Sequence, residues 1–209
     1  MTSESEGIPA RLDPVVLEGQ FVRLEPLSLS HLDALSEVAL DPEIWRWTSE
    51  RAESVEELRA YVERALAAQQ SGSALPFATV ARSIGKPIGS TRFANVDLLS
   101  GRLEIGWTWL GRDWQRTALN TEAKYLMMKH AFETLGVRRV EFKTDVLNER
   151  SRAAIRRLGA REEGILRKHG VTMSGRVRDT VYYSVIDDEW PAVRRRLEER
   201  LTIGPRTTS

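Results

Sequence analysis

Residues 103–110 read Leu103-Glu104-Ile105-Gly106-Trp107-Thr108-Trp109-Leu110, and residues 111–121 continue Gly111-Arg112-Asp113-Trp114-Gln115-Arg116-Thr117-Ala118-Leu119-Asn120-Thr121. The first run is a strand. The second is a short loop opening into an amphipathic helix with Leu119, Ala123, Leu126, Met127 and Ala131 on one stripe. Amides in a helix's first turn converge on one point at the positive end of the dipole, so this junction suits a phosphate or pyrophosphate. The small residues Thr117 and Ala118 let such a ligand approach the backbone. Every strand-to-helix junction shares that geometry, so alone it permits an anion site without requiring one.

A second helix start lies downstream, at Asn148-Glu149-Arg150-Ser151-Arg152-Ala153-Ala154-Ile155-Arg156-Arg157-Leu158-Gly159-Ala160. Asn148 is placed as its cap and Gly159 as its terminator. A well-capped surface helix accounts for this pattern. Asn148 and Ser151 also stand where a ligand lying across two neighbouring helix starts can reach them. From Arg138 to Arg178 there are twelve Lys and Arg against five Asp and Glu. Such a run is either a solvated face or a hold for a multiply phosphorylated ligand.

The elements that must position these residues follow from periodicity. Phe21 to Glu25 alternates as a strand that Pro26 stops, and Ser30 caps a helix bearing Leu32, Leu35 and Val38. Ser54-Val55-Glu56-Glu57 announces a second helix, through Leu58, Val62 and Leu66 to Gly72. Strands are expected over 77–81, 87–94 and 103–110, the first two joined by a hairpin at 83–86. A helix over 118–134 follows, then strand 139–144, helix 148–158, strands 162–171 and 176–186, and a charged final helix. The opening meander argues for an α+β fold built on a mixed sheet, and against βαβ repeats. One domain over 14–202 is expected, with a loose arm over 1–13 and a frayed end over 203–209.

Composition narrows the chemistry. The 209 residues carry 31 Lys and Arg against 30 Asp and Glu, which excludes a polyanion binder driven by net charge. The absence of cysteine removes disulfides, thiolate metal sites and thiol catalysis, and three scattered histidines give a metal little to work with. An acidic N-terminus and the lack of an 18-residue apolar run point to a cytoplasmic protein, neither secreted nor membrane-spanning. Nucleic-acid binding through residues 138–178 is disfavoured, because Phe142 is the one aromatic ring of Phe, Tyr or Trp type there.

Taken together, these motifs resemble the GNAT family of N-acetyltransferases, specifically its RimJ/RimL-type branch. Gln115-Arg116-Thr117-Ala118-Leu119-Asn120 occupies the place of the family's Gln/Arg-x-x-Gly-x-Gly/Ala pyrophosphate loop. Asn148-x-x-Ser151, Leu158-Gly159-Ala160 and Glu163-Gly164 match further elements of the branch. Arg178-Asp179-Thr180-Val181-Tyr182-Tyr183-Ser184-Val185, with Glu189-Trp190-Pro191, resembles its end. The likeness runs from Phe21 to the last strand. Three positions depart from the pattern: Ala118 and Asn120 replace the loop's small residues, and Ile155 stands where many members carry a proton-donating Tyr.

The resemblance implies a central, mostly antiparallel, splayed sheet of about seven strands flanked by helices. It also implies direct transfer of acetyl from acetyl-CoA to an amine, with no covalent acyl-enzyme and no metal. Backbone groups of Trp109 and Leu110 would hold the pantetheine arm, the amides of Gln115, Arg116, Thr117, Ala118, Leu119, Asn120 and Thr121 the pyrophosphate, and Asn148 the pantetheine. Glu104 resembles the position of the general base and Ser151 that of the acid for the leaving sulfur. Strict alternation would put Leu103, Ile105, Trp107 and Trp109 on one face and Glu104, Gly106 and Thr108 on the other. Glu104 is alternatively a strand carboxylate paired with Arg92 or another cation. His169 is a second candidate base, beside Gly170, where some members carry a Glu. Trp45, Trp47, Arg92, His169 and Asp179 are candidate acceptor contacts, although paired Trp residues also serve as packing anchors. A homodimer is expected by family analogy. The rival reading is a non-catalytic acyl-CoA-binding sensor of the same fold.

Overall fold

The computed structural model describes residues 12–203. The expectations for residues 1–11 and 204–209 lie outside the described residues, and Leu12 already packs into the core. Chain order gives β1 (Leu17–Glu18), β2 (Val22–Pro26), α1 (Leu32–Ala39), α2 (Pro42–Trp45), α3 (Val55–Gln70), β3 (Leu75–Ala81), β4 (Lys86–Asp97) and β5 (Arg102–Leu110). Then come α4 (Ala118–Lys129), β6 (Arg139–Asp145), α5 (Glu149–Leu158), β7 (Arg161–Val171), β8 (Val177–Ile186) and α6 (Trp190–Ile203). The expected elements form within a few residues of their expected bounds. The two-residue β1 and the single-turn α2 are too short to register in periodicity.

Local chemistry explains the boundaries. Ser54 caps α3 by accepting from the Glu57 amide, and Gly159 closes α5 in the left-handed conformation. The strands form one sheet in the order β1-β2-β3-β4-β5-β6-β8-β7, with eight strands rather than about seven because β1 adds a short edge. Every neighbouring pair is antiparallel except β5 and β6. Those two pair only through Arg102↔Arg139, Leu103↔Val140 and Glu104↔Glu141, then part. The sheet therefore forks at Glu104.

Two apolar clusters hold the sheet. One packs Leu103, Ile105, Val140, Phe142, Val181 and Tyr183 beneath α4, α5 and α6. The other packs Trp45, Tyr61, Leu58 and Trp109 beneath α1 to α3, over the N-terminal strands. By alternation the second face of β6 and β8 carries Glu141, Lys143, Asp145, Tyr182 and Ser184 instead of apolar residues.

Candidate active site

Glu104 is 5% exposed at the fork. Its Oε2 accepts from Asn95 Nδ2 at 2.6 Å and pairs with Lys143 Nζ at 2.8 Å. Oε1 has no hydrogen-bond partner among the described residues and lies against Gly106, where a Cβ would come within 2.8 Å of it. Glycine at 106 thus leaves room for the free oxygen. Asn95 reaches Glu104 from a left-handed backbone position, φ 47°, within an irregular stretch of β4. Burial works against the charge on Lys143, but its contacts with Glu104 and Tyr182 outweigh this and hold its pKa above the ordinary value.

Strict alternation fails in β5. Between the pairs Arg92↔Gly106 and Ser90↔Trp109, β5 spends three residues where β4 spends two, and Trp107 adopts φ 48°. This bulge inverts the parity of the residues after it. Leu103 and Ile105 stay in the α4 cluster, whereas Trp107 and Trp109 turn to the α1–α3 cluster. The inserted residue thereby brings both Trp side chains to Glu104's face of the sheet. Thr108 moves the other way, where its hydroxyl meets Thr91 at 2.9 Å and takes a bond from Lys124.

The two helix starts are physically joined. Gln115 Nε2 donates to the Leu110 carbonyl at 2.9 Å, and its Oε1 accepts from Arg150 Nη1 at 2.8 Å. One side chain thus ties the end of β5 to the first turn of α5. Thr117 caps α4, accepting from the Leu119 amide at 3.3 Å and donating to the Trp114 carbonyl at 2.8 Å. Arg116 takes the left-handed position, φ 62°, while Ala118 and Asn120 have negative φ. Replacing glycine at those two positions therefore imposes no left-handed strain.

Asn148 Oδ1 accepts from the Ser151 amide at 3.1 Å as the expected helix cap, and its Nδ2 has no hydrogen-bond partner among the described residues. The Ser151 hydroxyl is half-buried and has no hydrogen-bond partner among the described residues. Ile155, one turn on, is buried in the core. Past Glu104, the edge of β5 carrying Trp109 and Leu110 faces the fork without a paired strand from β6. Unpaired backbone groups, two joined helix starts and a free hydroxyl fit the arm, phosphates and sulfur of a coenzyme A thioester.

The basic excess over 138–178 is mostly spent within the protein, not gathered at the helix starts. Arg139 pairs with Glu163, Arg156 with Glu162, Arg161 with Glu189, and Arg176 with Asp145. Arg116 and Arg150 are the cations placed at the loop and the α5 start. Of the acceptor candidates, Trp45 is a core residue whose Nε1 donates to the Ala39 carbonyl at 2.8 Å, with Trp109 and Tyr61 packed on its ring. Trp47 is half-buried, with the Arg46 and Arg176 guanidinium groups over it at 5.1 and 5.7 Å. His169 lies on the exposed edge strand with Tyr182 Oη 3.4 Å from its Nε2. Asp179 accepts from the Lys168 amide at 2.7 Å and so secures a bulge in β7. Arg92 is on β4 beside the fork.

Sequence reasoning missed Lys143, Asn95, Arg150 and Lys124. Lys143 and Asn95 reach Glu104 only through strand pairing, and Arg150 reaches Gln115 only because β5 and β6 part. Lys124 had a usable signal, since it lies within the α4 sequence away from either end. Among the described residues no group of His, Asp and Glu is arranged to hold a metal ion, and no helix is long and apolar enough to cross a membrane.

Residues 22–161 match the acetyltransferase (GNAT) domain family. The chain is 35% identical over 106 residues to YdaF of Bacillus subtilis, a protein provisionally named as a ribosomal N-acetyltransferase; the match covers 51% of this chain and 57% of that protein. The crystal structure of a GCN5-related N-acetyltransferase from Brucella melitensis is 33% identical, with a TM-score of 0.85 over 94% of this chain and 89% of that one. Mycobacterium smegmatis RimJ in complex with CoA-disulfide shares the fold at 22% identity, with a TM-score of 0.74 over 91% and 94% of the two chains. The chain belongs to the GNAT acetyltransferase family, and the likeness to YdaF supports its RimJ/RimL-type branch.

Proposed function

We propose that this member of the GNAT family is a cytoplasmic N-acetyltransferase that moves the acetyl group of acetyl-CoA directly to a primary amine. The acceptor is a protein N-terminus, an amino acid or another small amine. The observation that carries this reading is the fork, where the sheet opens beside a carboxylate that keeps one oxygen free. The bound thioester supplies the activated acetyl group.

The chain's own groups divide the remaining work. The first-turn amides of α4 hold the pyrophosphate, with Arg116 and Arg150 adding charge. Open backbone groups of Trp109 and Leu110 hold the pantetheine arm. Glu104 Oε1 takes a proton from the acceptor ammonium, directly or through one water, while Asn95 and Lys143 fix Oε2. Ser151 Oγ gives a proton to the departing sulfur. As the N–C bond forms and the C–S bond breaks, the second proton of the attacking nitrogen restores the Ser151 hydroxyl, leaving an amide, a free thiol and a proton on Glu104 that returns to solvent.

Calorimetric titration with acetyl-CoA, CoA and dephospho-CoA tests the first half of this reading. Micromolar binding, about −8 kcal/mol, that weakens without the 3′-phosphate is expected. Absence of binding at millimolar ligand would refute it. Binding without CoA release toward any amine would instead identify an acyl-CoA sensor.

A further inference from the structure

Arg92 is 5% exposed, and its Nε and Nη2 are fully buried with no acceptor from any described residue. Its guanidinium lies 5.1 Å from the ring centroids of both Tyr61 and Trp107. Those ring faces answer part of the charge, but they accept none of the N–H hydrogens at the edge of the fork.

The surrounding charges do not cancel it. Lys143 is matched by Glu104, and Arg176 by Asp145. Arg178 is a half-buried guanidinium near Glu104 and Asp145, and its Nε also lacks an acceptor among the described residues. Burial holds its pKa below the ordinary value despite those carboxylates. Arg92 is therefore left without a carboxylate partner among the described residues, beside a carboxylate that has a free oxygen.

Register puts Arg92 beside Glu104. Ala94 faces Glu104 across the strands, and Arg92 is its same-face neighbour on β4, opposite Gly106. Such a diagonal separates side-chain origins by about 7–8 Å, and Gly106 contributes no side chain between them. That span suits an amine at Glu104 and an anionic oxygen group at Arg92, only a few bonds apart.

Resting on the transferase reading above, we propose that Arg92 binds a carboxylate or similar oxyanion next to the acceptor amine. The acceptor is then a small α-amino acid or its phosphonate analogue, in its free acid form. A protein N-terminus has a neutral amide in that place and would leave the Arg92 guanidinium unanswered.

The test follows CoA release by the full chain at saturating acetyl-CoA with four acceptor sets. These are free α-amino acids, 1-aminoalkylphosphonates, amino-acid methyl esters, and short peptide amides with free N-termini. Free acids or phosphonates should exceed their uncharged counterparts by tenfold or more in kcat/KM. Arg92→Met should reduce that preference to near unity by raising KM for the acids, with acetyl-CoA titration reporting that the variant is folded. If it fails to fold, Arg92→Lys, which keeps the charge but loses the planar fork, should lower the preference severalfold. Esters or peptide amides matching the free acids in the wild type would overturn the proposal and leave the transferase reading standing. An Arg92 variant that folds and keeps the full preference would also overturn it. Acetyl-CoA binding with no release toward any of the four sets would instead sink the transferase reading, and this inference with it.

Discussion

The two faces of β6 and β8 differ in almost everything except burial. Toward α4, α5 and α6 stand Val140, Phe142, Val181, Tyr183 and Val185, none more than 2% exposed. On the opposite face, Glu141, Asp145, Thr180 and Ser184 are also buried, and half-buried Lys143 and Tyr182 lie among them. The first face is hidden by apolar packing, and the second by charges and hydroxyls answering one another. Exclusion from water thus says little about purpose. An apolar face gains stability from burial, whereas a polar one must recover the cost of desolvation through partners. The places where that recovery is incomplete, Glu104 Oε1 and the Arg92 nitrogens, are where a substrate has something to bind.

This contrast can be broken by separating activity from stability. Glu104→Gln should lower kcat/KM by about 10²–10⁴-fold, the usual yield of a general base. Gln keeps an acceptor oxygen for Asn95 and Lys143, so the unfolding free energy should move by only about 1–2 kcal/mol. Phe142→Ala on the other face should do the reverse, costing about 3–5 kcal/mol in urea titration. Its remaining folded fraction should keep the wild-type KM for acetyl-CoA. Equal activity losses per folded molecule in the two variants would erase the distinction between the faces.

Lys124 sharpens the comparison because it is the exception, a basic side chain buried on the α4 side. Its nitrogen donates to the Thr91 hydroxyl at 2.7 Å and to that of Thr108, and meets no carboxylate. Burial pushes its pKa down from 10.5 to about 7. Between those values the unfolded chain holds a proton that the folded chain has released, so unfolding takes one up. This contribution is complete above the unfolded value and is lost as pH falls to 7. Stability should therefore rise from pH 7 toward 9.5 by up to roughly 1.4 kcal/mol per unit, and Lys124→Met should flatten that slope. Above about pH 10, Tyr125, whose pKa is raised to about 12 by burial and by Glu198, works in the opposite sense.

The smallest expected effect belongs to the α4 cap. Thr117→Ala should cost about 0.5–2 kcal/mol in thermal unfolding and weaken acetyl-CoA binding severalfold, since it loosens the first turn. A loss of stability without any change in binding would separate this helix start from the cofactor.

Much of this was legible because it is local. The Ser54 cap, the Gly159 terminator and the strand-to-helix junction at Gln115–Thr121 follow from side chains acting within a few residues of themselves. Glu104 and Ser151 stand out by their place in motifs, and the junction's suitability for an anion follows from helix geometry alone. Periodicity misled at Trp107, where one inserted residue turned Trp107 and Trp109 to the other face. No pattern in β5 itself marks that insertion, because a bulge is defined by the strand beside it.

The amino-acid sequence by itself determined the element order, the mixed sheet and the two helix starts, since these rest on short-range propensity and alternation. Only the tertiary structure decided what each functional side chain meets. The parting of β5 from β6 made a fork at Glu104, strand pairing delivered Lys143 and Asn95 to one carboxylate oxygen, and Gln115 tied the end of β5 to Arg150 of α5, 35 residues further on. It also decided that Arg92 is buried without an acceptor among the described residues. Each of these depends on residues distant in the chain, and their separation is set by packing, which no local signal encodes.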